Sequence, residues 1–321
     1  MPPDPSPDAG REAVHYTPEQ DKIVRRFEAY RAANKWSAAK AAQQIRCAPS
    51  TYNQLINKRY PGRFAAFITA MGNVLARAER RDNAIKNPPY AVTANAETIE
   101  GVCQHCLDQR DMALVQGPTG SCKTSAAVAY ATAHVADVIL ITAHPRFNGV
   151  ALLRKLADHE RLDWTGKSFD VLFDRVVVHL ANRGKPLVIV DDCDNFGAEA
   201  LHTLRQIHDQ AECPVLLLGT ATFLEKIRRR KNGLDLQALG RLGCVEALHG
   251  IGRDDAAKLS DFFKLPAAAS SMAWQLCGGD ARLLVKGCKA ALVAARAYGE
   301  PVSASHVETG FEKLKAVRST A

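Results

Sequence analysis

No run in this 321-residue chain approaches the roughly 18 to 20 consecutive apolar residues that a membrane span requires, which excludes a membrane partner of the spanning kind. The stretch Met1 to Gly10 is rich in proline and acid rather than basic and apolar, so it lacks the make-up of a secretory signal. A disordered lead over residues 1–16 and a cytoplasmic location are expected instead. There is no internal repeat and no low-complexity tract. The nine cysteines are scattered, several inside expected strands or helices, which fits a reducing compartment better than a disulfide framework. Cys103-Gln104-His105-Cys106 has metal-like spacing, but no second pair nearby completes four ligands. Cysteines packing a helix before the first strand are the competing expectation. What the chain does have is 47% hydrophobic residues, sufficient for the cores of two or three domains.

Against that background the run Gly117-Pro118-Thr119-Gly120-Ser121-Cys122-Lys123-Thr124 stands out. It follows the apolar stretch Met112 to Val115 and precedes an alanine-rich helical stretch from Ser125 to Ala133, the strand–loop–helix setting of a phosphate-binding loop. Gly117 and Gly120 let the backbone turn tightly and aim its N–H groups inward at a helix N-terminus. Lys123 would reach the β- and γ-phosphates of a nucleoside triphosphate, and Thr124 would offer its hydroxyl to Mg2+. Gly117 through Ser125 are therefore the expected ATP-binding residues. Cys122 departs from the pattern, standing where a glycine usually precedes the lysine.

A second element completes such a site. Lys185 to Val190 is an apolar, β-branched run of strand length that ends in Asp191-Asp192-Cys193-Asp194. Continuous runs of this kind suit a parallel strand covered on both faces. Asp191 is placed to hold Mg2+, a hard cation that takes oxygen ligands. Asp192 is the candidate to polarise an attacking water, in a place where glutamate is more usual. The bland alternative is two acids capping the following helix.

Charge is unevenly spread. Residues 1–86 carry 15 Lys/Arg and 8 Asp/Glu, nearly all of the chain's net charge of +8. A basic N-terminal module on a near-neutral body is an electrostatic footprint for nucleic acid. Thr17-Pro18-Glu19-Gln20 has the form of a capped helix start. A helix to about Ala33 should follow, then a short helix over Ala38 to Ile45, a turn Arg46-Cys47-Ala48 and a third helix from Pro49 to Asn57. Ala42, Ile45, Tyr52, Leu55 and Ile56 supply apolar faces to lock two helices across that turn. The pattern resembles a helix-turn-helix, whose second helix enters the major groove of double-stranded DNA. Ser50, Thr51, Asn53 and Gln54 would then face base edges or phosphates, and Lys58, Arg59 and Arg63 the backbone. A purely structural helical bundle is the alternative.

Two prolines in Asn87-Pro88-Pro89-Tyr90 mark a linker over 87–92 after the helical domain of 17–86. Beyond it a helix near 94–110 precedes strands expected at 112–116, 137–142, 187–191, 214–219 and 244–248, alternating with helices. Such alternation implies an α/β domain with a parallel sheet, here over 93–250. Past Gly250 only helices are expected, near 253–263, 266–276, 280–298 and 303–318, a helical subdomain over 251–321. Thr220 follows the fourth strand with its hydroxyl toward the γ-phosphate end of the sheet. Gly278-Gly279-Asp280-Ala281-Arg282 puts an arginine at a helix start, where a helical lid would deliver it to the nucleotide.

Taken together, Gly117–Thr124, Leu187–Asp192, Gly219-Thr220 and Gly279–Arg282 resemble the AAA+ ATPase superfamily over roughly residues 91 to 321. That resemblance implies a P-loop AAA+ parallel sheet core with a C-terminal helical lid, Thr220 as a first sensor and Arg282 as a second. It also implies an arginine finger acting on a neighbouring subunit's nucleotide, hence self-assembly into a ring or filament. Arg241, in Leu236 to Arg241, is the candidate finger, with Arg228, Arg229 and Arg230 as rivals. With its N-terminal helix-turn-helix, the whole chain resembles the target-DNA activator ATPases of phage Mu B-type transposition. The implied activity is ATP-dependent assembly on DNA and delivery of that DNA to a transposase, which stimulates hydrolysis. Arg146, Lys155 and Lys167 would then line a DNA path on the ATPase body.

Other functions share parts of these features. A helicase loader or replication initiator would use the same ATPase core on single-stranded DNA. A transcription regulator would use the nucleotide only as a conformational clamp. A small-molecule kinase is disfavoured because nothing in the chain has the form of an acceptor site.

Overall fold

A computed structural model describes residues 15–230 and 237–319; the expected N-terminal lead lies almost wholly outside them. Residues 1–86 and 87–321 form two compact units.

The described residues of the first unit are all-α, with α1 (Pro18–Ala33), α2 (Ala38–Gln44), α3 (Pro49–Ile56) and α4 (Ala65–Asp82). Thr17 and Gln20 form a reciprocal capping box: each side chain accepts the other's backbone N–H, at 3.2 and 2.9 Å. Ala42, Ile45, Tyr52 and Leu55 are buried with Val24, Phe27 and Met71, while Ile56 is only partly buried. The turn between α2 and α3 puts Arg46 at φ 57°, a conformation that usually favours glycine.

The second unit holds a parallel sheet of five strands, β1 (Met112–Gln116), β2 (Val138–Thr142), β3 (Leu187–Asp191), β4 (Val215–Gly219) and β5 (Leu242–Ala247), in the order β2-β3-β4-β1-β5. The strands of the sheet centre are apolar throughout because helices cover both faces. On one face lie α5 (Ala94–Gln109) and α6 (Lys123–Ala133), packed over Ala113, Val115, Ile189, Leu216 and Leu218. On the other, α7 (Gly149–His159), α8 (Phe169–Asn182) and α9 (Ala198–Ala211) cover Met112, Leu114, Val188, Val190 and Leu217. A further helix, α10 (Ala221–Arg230), follows β4.

Strand β5 begins earlier than its sequence predicts. Its register against β1 shifts between Met112 and Ala113, and a Cβ on Gly243 would stand 1.9 Å from the Asp111 carboxylate. The glycine that hides the strand from its sequence pattern is the residue its packing requires.

Four helices close the chain, α11 (Arg253–Asp261), α12 (Ala267–Cys277), α13 (Ala281–Tyr298) and α14 (Ala304–Ser319). Gly287 lets α13 and α14 meet closely, since a Cβ there would lie 1.9 Å from the Phe311 ring. No helix among the described residues is long and apolar enough to cross a membrane. Cys103 and Cys106 are buried on α5, and burial pushes the Cys106 thiol up to about 12. Among the described residues there is no group of three or more His, Cys, Asp and Glu placed to hold a metal ion, and Cys103 and Cys106 pack into the core between α5 and the sheet.

Candidate nucleotide site

The loops after β1, β3 and β4 leave the sheet at the same, C-terminal edge, where ligands of open parallel sheets bind. Together with α13 they enclose a cleft of about 1130 Å³. Thr119 to Ser125 form one wall, Asp192, Asp194, Gly219 and Thr220 the floor, and Arg282 and Lys286 a further side. Of the expected nucleotide residues, buried Gly117 and exposed Pro118 sit beside this wall rather than in it.

Helix α6 begins at Lys123, so its first-turn N–H groups face the loop as an anion site. The Lys123 ammonium donates to the Gly117 carbonyl at 2.7 Å, the Pro118 carbonyl at 2.9 Å and Ser121 Oγ at 3.2 Å. Burial lowers its pKa, against the opposing fields of Asp191, Asp194 and Asp192. A Cβ on Gly117 would approach Leu248 Cβ to 2.8 Å. Cys122 takes φ 68°, the left-handed conformation that a glycine would adopt without strain. The departure from the usual motif therefore leaves the path of the loop intact, and the thiol hydrogen-bonds to Thr93.

Asp191 is 2% exposed at the end of β3. Burial raises its pKa, while a hydrogen bond with Thr124 opposes the shift. Among the described residues its Oδ2 is buried and accepts no hydrogen bond. A buried carboxylate oxygen without a partner, next to a threonine hydroxyl, is an all-oxygen donor set that fits Mg2+. Asp192 follows at φ 55°, exposed into the cleft, and a short 3-10 turn over Cys193–Asn195 comes next.

The start of the lid helix α13 docks on the segment that follows β5. Ile251 N–H donates to the Gly279 carbonyl at 2.8 Å, and Gly250 and Gly279 approach so closely that a Cβ on Gly250 would meet Gly279 Cα at 2.9 Å. This glycine contact seats the start of α13 over the cleft and sets Arg282 in its wall.

Several cleft residues carried no signal in the sequence pattern. Asn87 to Ala91 line it, and Tyr90 is half-exposed there. This segment is fastened to the C-terminal helices: Lys289 Nζ donates to Asn87 Oδ1 at 2.5 Å, and Lys258 Nζ to the Val92 carbonyl at 2.9 Å. Asp255 accepts from Ala94 N–H at 3.2 Å. An aromatic residue directly after two prolines was the available clue. Asp194 is the other omission.

Arg241 lies outside the cleft. Its guanidinium pairs with Asp209 at 2.7 Å and is 49% exposed. Of its rivals, Arg228 and Arg229 are exposed on α10, while the Arg230 side chain and Leu236 fall outside the described residues. Arg146, Lys155 and Lys167 are exposed between β2 and α8. In the N-terminal unit Ser50, Asn53, Arg59 and Arg63 are exposed, and Thr51 and Gln54 are partly so. Lys58 is held by Asp21 at 2.6 Å and lies over the Tyr16 ring.

Residues 106–227 match the family described as AAA domain. The chain is 22% identical over 219 residues to the Mu-like prophage FluMu DNA transposition protein B of Haemophilus influenzae, covering 66% of this chain and 72% of that protein. Solved structures similar to it include the Thermotoga maritima RuvB Holliday junction branch migration motor, at 15% identity and TM-score 0.46, with 68% of each chain covered. Domain III of the Thermotoga maritima replication initiation protein DnaA matches at 12% identity and TM-score 0.48, over 71% of this chain and 98% of that one.

Proposed function

We propose that the chain is an AAA+ protein of the Mu B type, an ATP-dependent DNA-binding ATPase that assembles on double-stranded DNA. It would deliver that DNA to a transposase, with hydrolysis controlling disassembly. The observation that carries the ATPase half is the convergence of Lys123, the unpartnered Asp191 oxygen beside Thr124, and Asp192 at one edge of the sheet.

The roles follow from that placement. The α6 N-terminus and Lys123 hold the phosphates. Thr124 and Asp191 would hold Mg2+, which neutralises charge on the phosphate oxygens. Asp192, an exposed carboxylate in the cleft, orients the water whose oxygen bonds to the γ-phosphorus as the bond to the bridging oxygen breaks. Arg282, carried by the lid helix, links the phosphate state to lid position. Arg241 is the residue proposed to complete a neighbouring subunit's site, in a ring or filament. The DNA half rests on the basic N-terminal unit and the similarity to a transposition protein B.

The experiment is sedimentation of the full chain with non-specific duplex DNA in ATP, in ADP and without nucleotide, alongside Lys123→Ala. Large DNA-bound assemblies that need ATP and vanish with the substitution are expected. A small, discrete complex that forms regardless of nucleotide would overturn the assembly reading and favour a regulator.

A further inference from the structure

The acidic turn after β3 carries a third carboxylate with a defined task. Asp194 Oδ2 accepts the backbone N–H of Thr220 at 2.8 Å, and its Oδ1 accepts the Thr220 hydroxyl at 2.6 Å. The Thr222 hydroxyl lies 3.2 Å from the same Oδ1 and 2.7 Å from Thr220 Oγ1. Lys226 Nζ donates to the Asp194 main-chain carbonyl at 3.3 Å. The two loops meet tightly: a Cβ on Gly219 would stand 2.5 Å from Cys193 Sγ and 3.2 Å from Asp194 Oδ2. Asp194 and Thr220, 26 residues apart, both line the cleft, and so does Asp192.

We propose that Asp194 is a positioning residue for hydrolysis, holding the Thr220 hydroxyl and the Asp192 turn in one fixed arrangement. An ionised carboxylate only accepts, so it takes the single proton of the Thr220 hydroxyl. The oxygen then offers the cleft lone pairs only. That polarity suits acceptance of a hydrogen from the attacking water and does not suit donation to a phosphate oxygen. Thr220 therefore acts together with Asp192 on the water. Because Asp194 also holds the Thr220 backbone, the loops after β3 and β4 move as one body, and the water-orienting groups keep their spacing. The inference rests on the ATPase reading of the same cleft.

The test is DNA-stimulated ATP turnover of the full chain for wild type, Asp194→Asn, Asp194→Ala, Thr220→Ala and the double variant Asp194→Ala/Thr220→Ala. Asp194→Asn keeps the shape but lets the amide NH2 donate to Thr220 Oγ1, which frees the hydroxyl proton to turn toward the cleft. It should lower kcat by about 10- to 100-fold, the usual cost of removing a supporting partner in a site, with KM for ATP little changed. The double variant should be no worse than the worse single one, because the two residues act as one unit. Wild-type kcat in Asp194→Asn, or multiplied losses in the double variant, would overturn the proposal. So would a joint fall of nucleotide affinity and unfolding midpoint in Asp194→Asn, the signature of a merely structural staple. If wild type turns over ATP no faster than Lys123→Ala, the ATPase reading itself fails, and this role with it.

Discussion

The backbone N–H of Ala281, first residue of the lid helix, donates to the carbonyl of Gly120 in the phosphate loop at 2.9 Å. The lid thus rests directly on the loop proposed to hold the phosphates, and a change in that loop's path would reach Arg282 one residue further on. Gly120 has φ 78°, and a Cβ there would lie 2.0 Å from Asp280 Oδ1, the group that caps α13.

Gly120→Ala must therefore strain the loop or displace the lid. Strain of this kind costs about 1 to 3 kcal/mol, so nucleotide affinity is expected to fall by about 5- to 150-fold. Titration with a fluorescent ATP analogue checks it; unchanged affinity would show that the lid contact is dispensable.

Cys122 gives a prediction of the opposite character. At φ 68° a glycine is unstrained, whereas a β-branched residue meets its carbonyl oxygen. Cys122→Gly should stay within about 1 kcal/mol of wild type, relief of strain offsetting the lost thiol burial and the added chain entropy. Cys122→Val should destabilise the ATPase unit by about 1 to 2 kcal/mol or more. Urea denaturation of the two variants, followed by a probe in that unit, would show a clear separation; equal midpoints would mean the loop relaxes freely.

The parts legible in the sequence were those set by short-range rules. The phosphate loop is fixed by backbone demands within eight residues, and β3 and β4 announce themselves because both faces are buried. Strand β5 started two residues early because Gly243, needed beside Asp111, breaks the apolar pattern. The task of Asp194 leaves no local pattern because its partner Thr220 is 26 residues away. Asn95, which donates to the carbonyls of Ser121 at 3.2 Å and His249 at 2.8 Å, ties α5 to the phosphate loop in a way no local pattern displays. Likewise the linker prolines and Tyr90 read as a break between domains, while folding makes them a wall of the cleft.

Glu160, at the end of α7, sits 6% exposed between His159 at 2.8 Å, His179 at 2.9 Å and Arg183 at 2.7 Å. Burial opposes its ionisation, but the hydrogen bonds from both histidines and the Arg183 guanidinium hold its carboxyl below the ordinary value of 4.5. A depressed folded pKa contributes stability that is present above the unfolded value and disappears as pH falls through the folded one. Glu160→Gln should thus cost about 1.5 to 3 kcal/mol at neutral pH, the range for hydrogen bonds to a charged group. The gap to wild type should narrow in acid, below about pH 4. Unfolding midpoints across pH test this; a gap independent of pH would show that the carboxylate charge plays no part.

In the N-terminal unit the same electrostatic logic separates neighbouring cations. Arg59 and Arg63 are exposed, whereas Lys58 is already paired with Asp21 at 2.6 Å, and its partner also takes Arg25. A cation that neutralises a DNA phosphate contributes about 0.9 to the slope of log affinity against log salt. Arg59→Ala and Arg63→Ala should each reduce that slope by about 1 and weaken binding across all sequences alike. Lys58→Ala should change it less, because reaching a phosphate first requires leaving Asp21. Asp21→Ala is then informative: with Lys58 and Arg25 released, affinity for duplex DNA should rise and the salt slope steepen. If Asp21→Ala leaves both unchanged while Arg59→Ala acts as stated, the DNA runs past Arg59 without coming near Lys58. If none of the four alters the slope, this unit is a structural helical bundle, and duplex binding must be sought on the ATPase body near Arg146, Lys155 and Lys167.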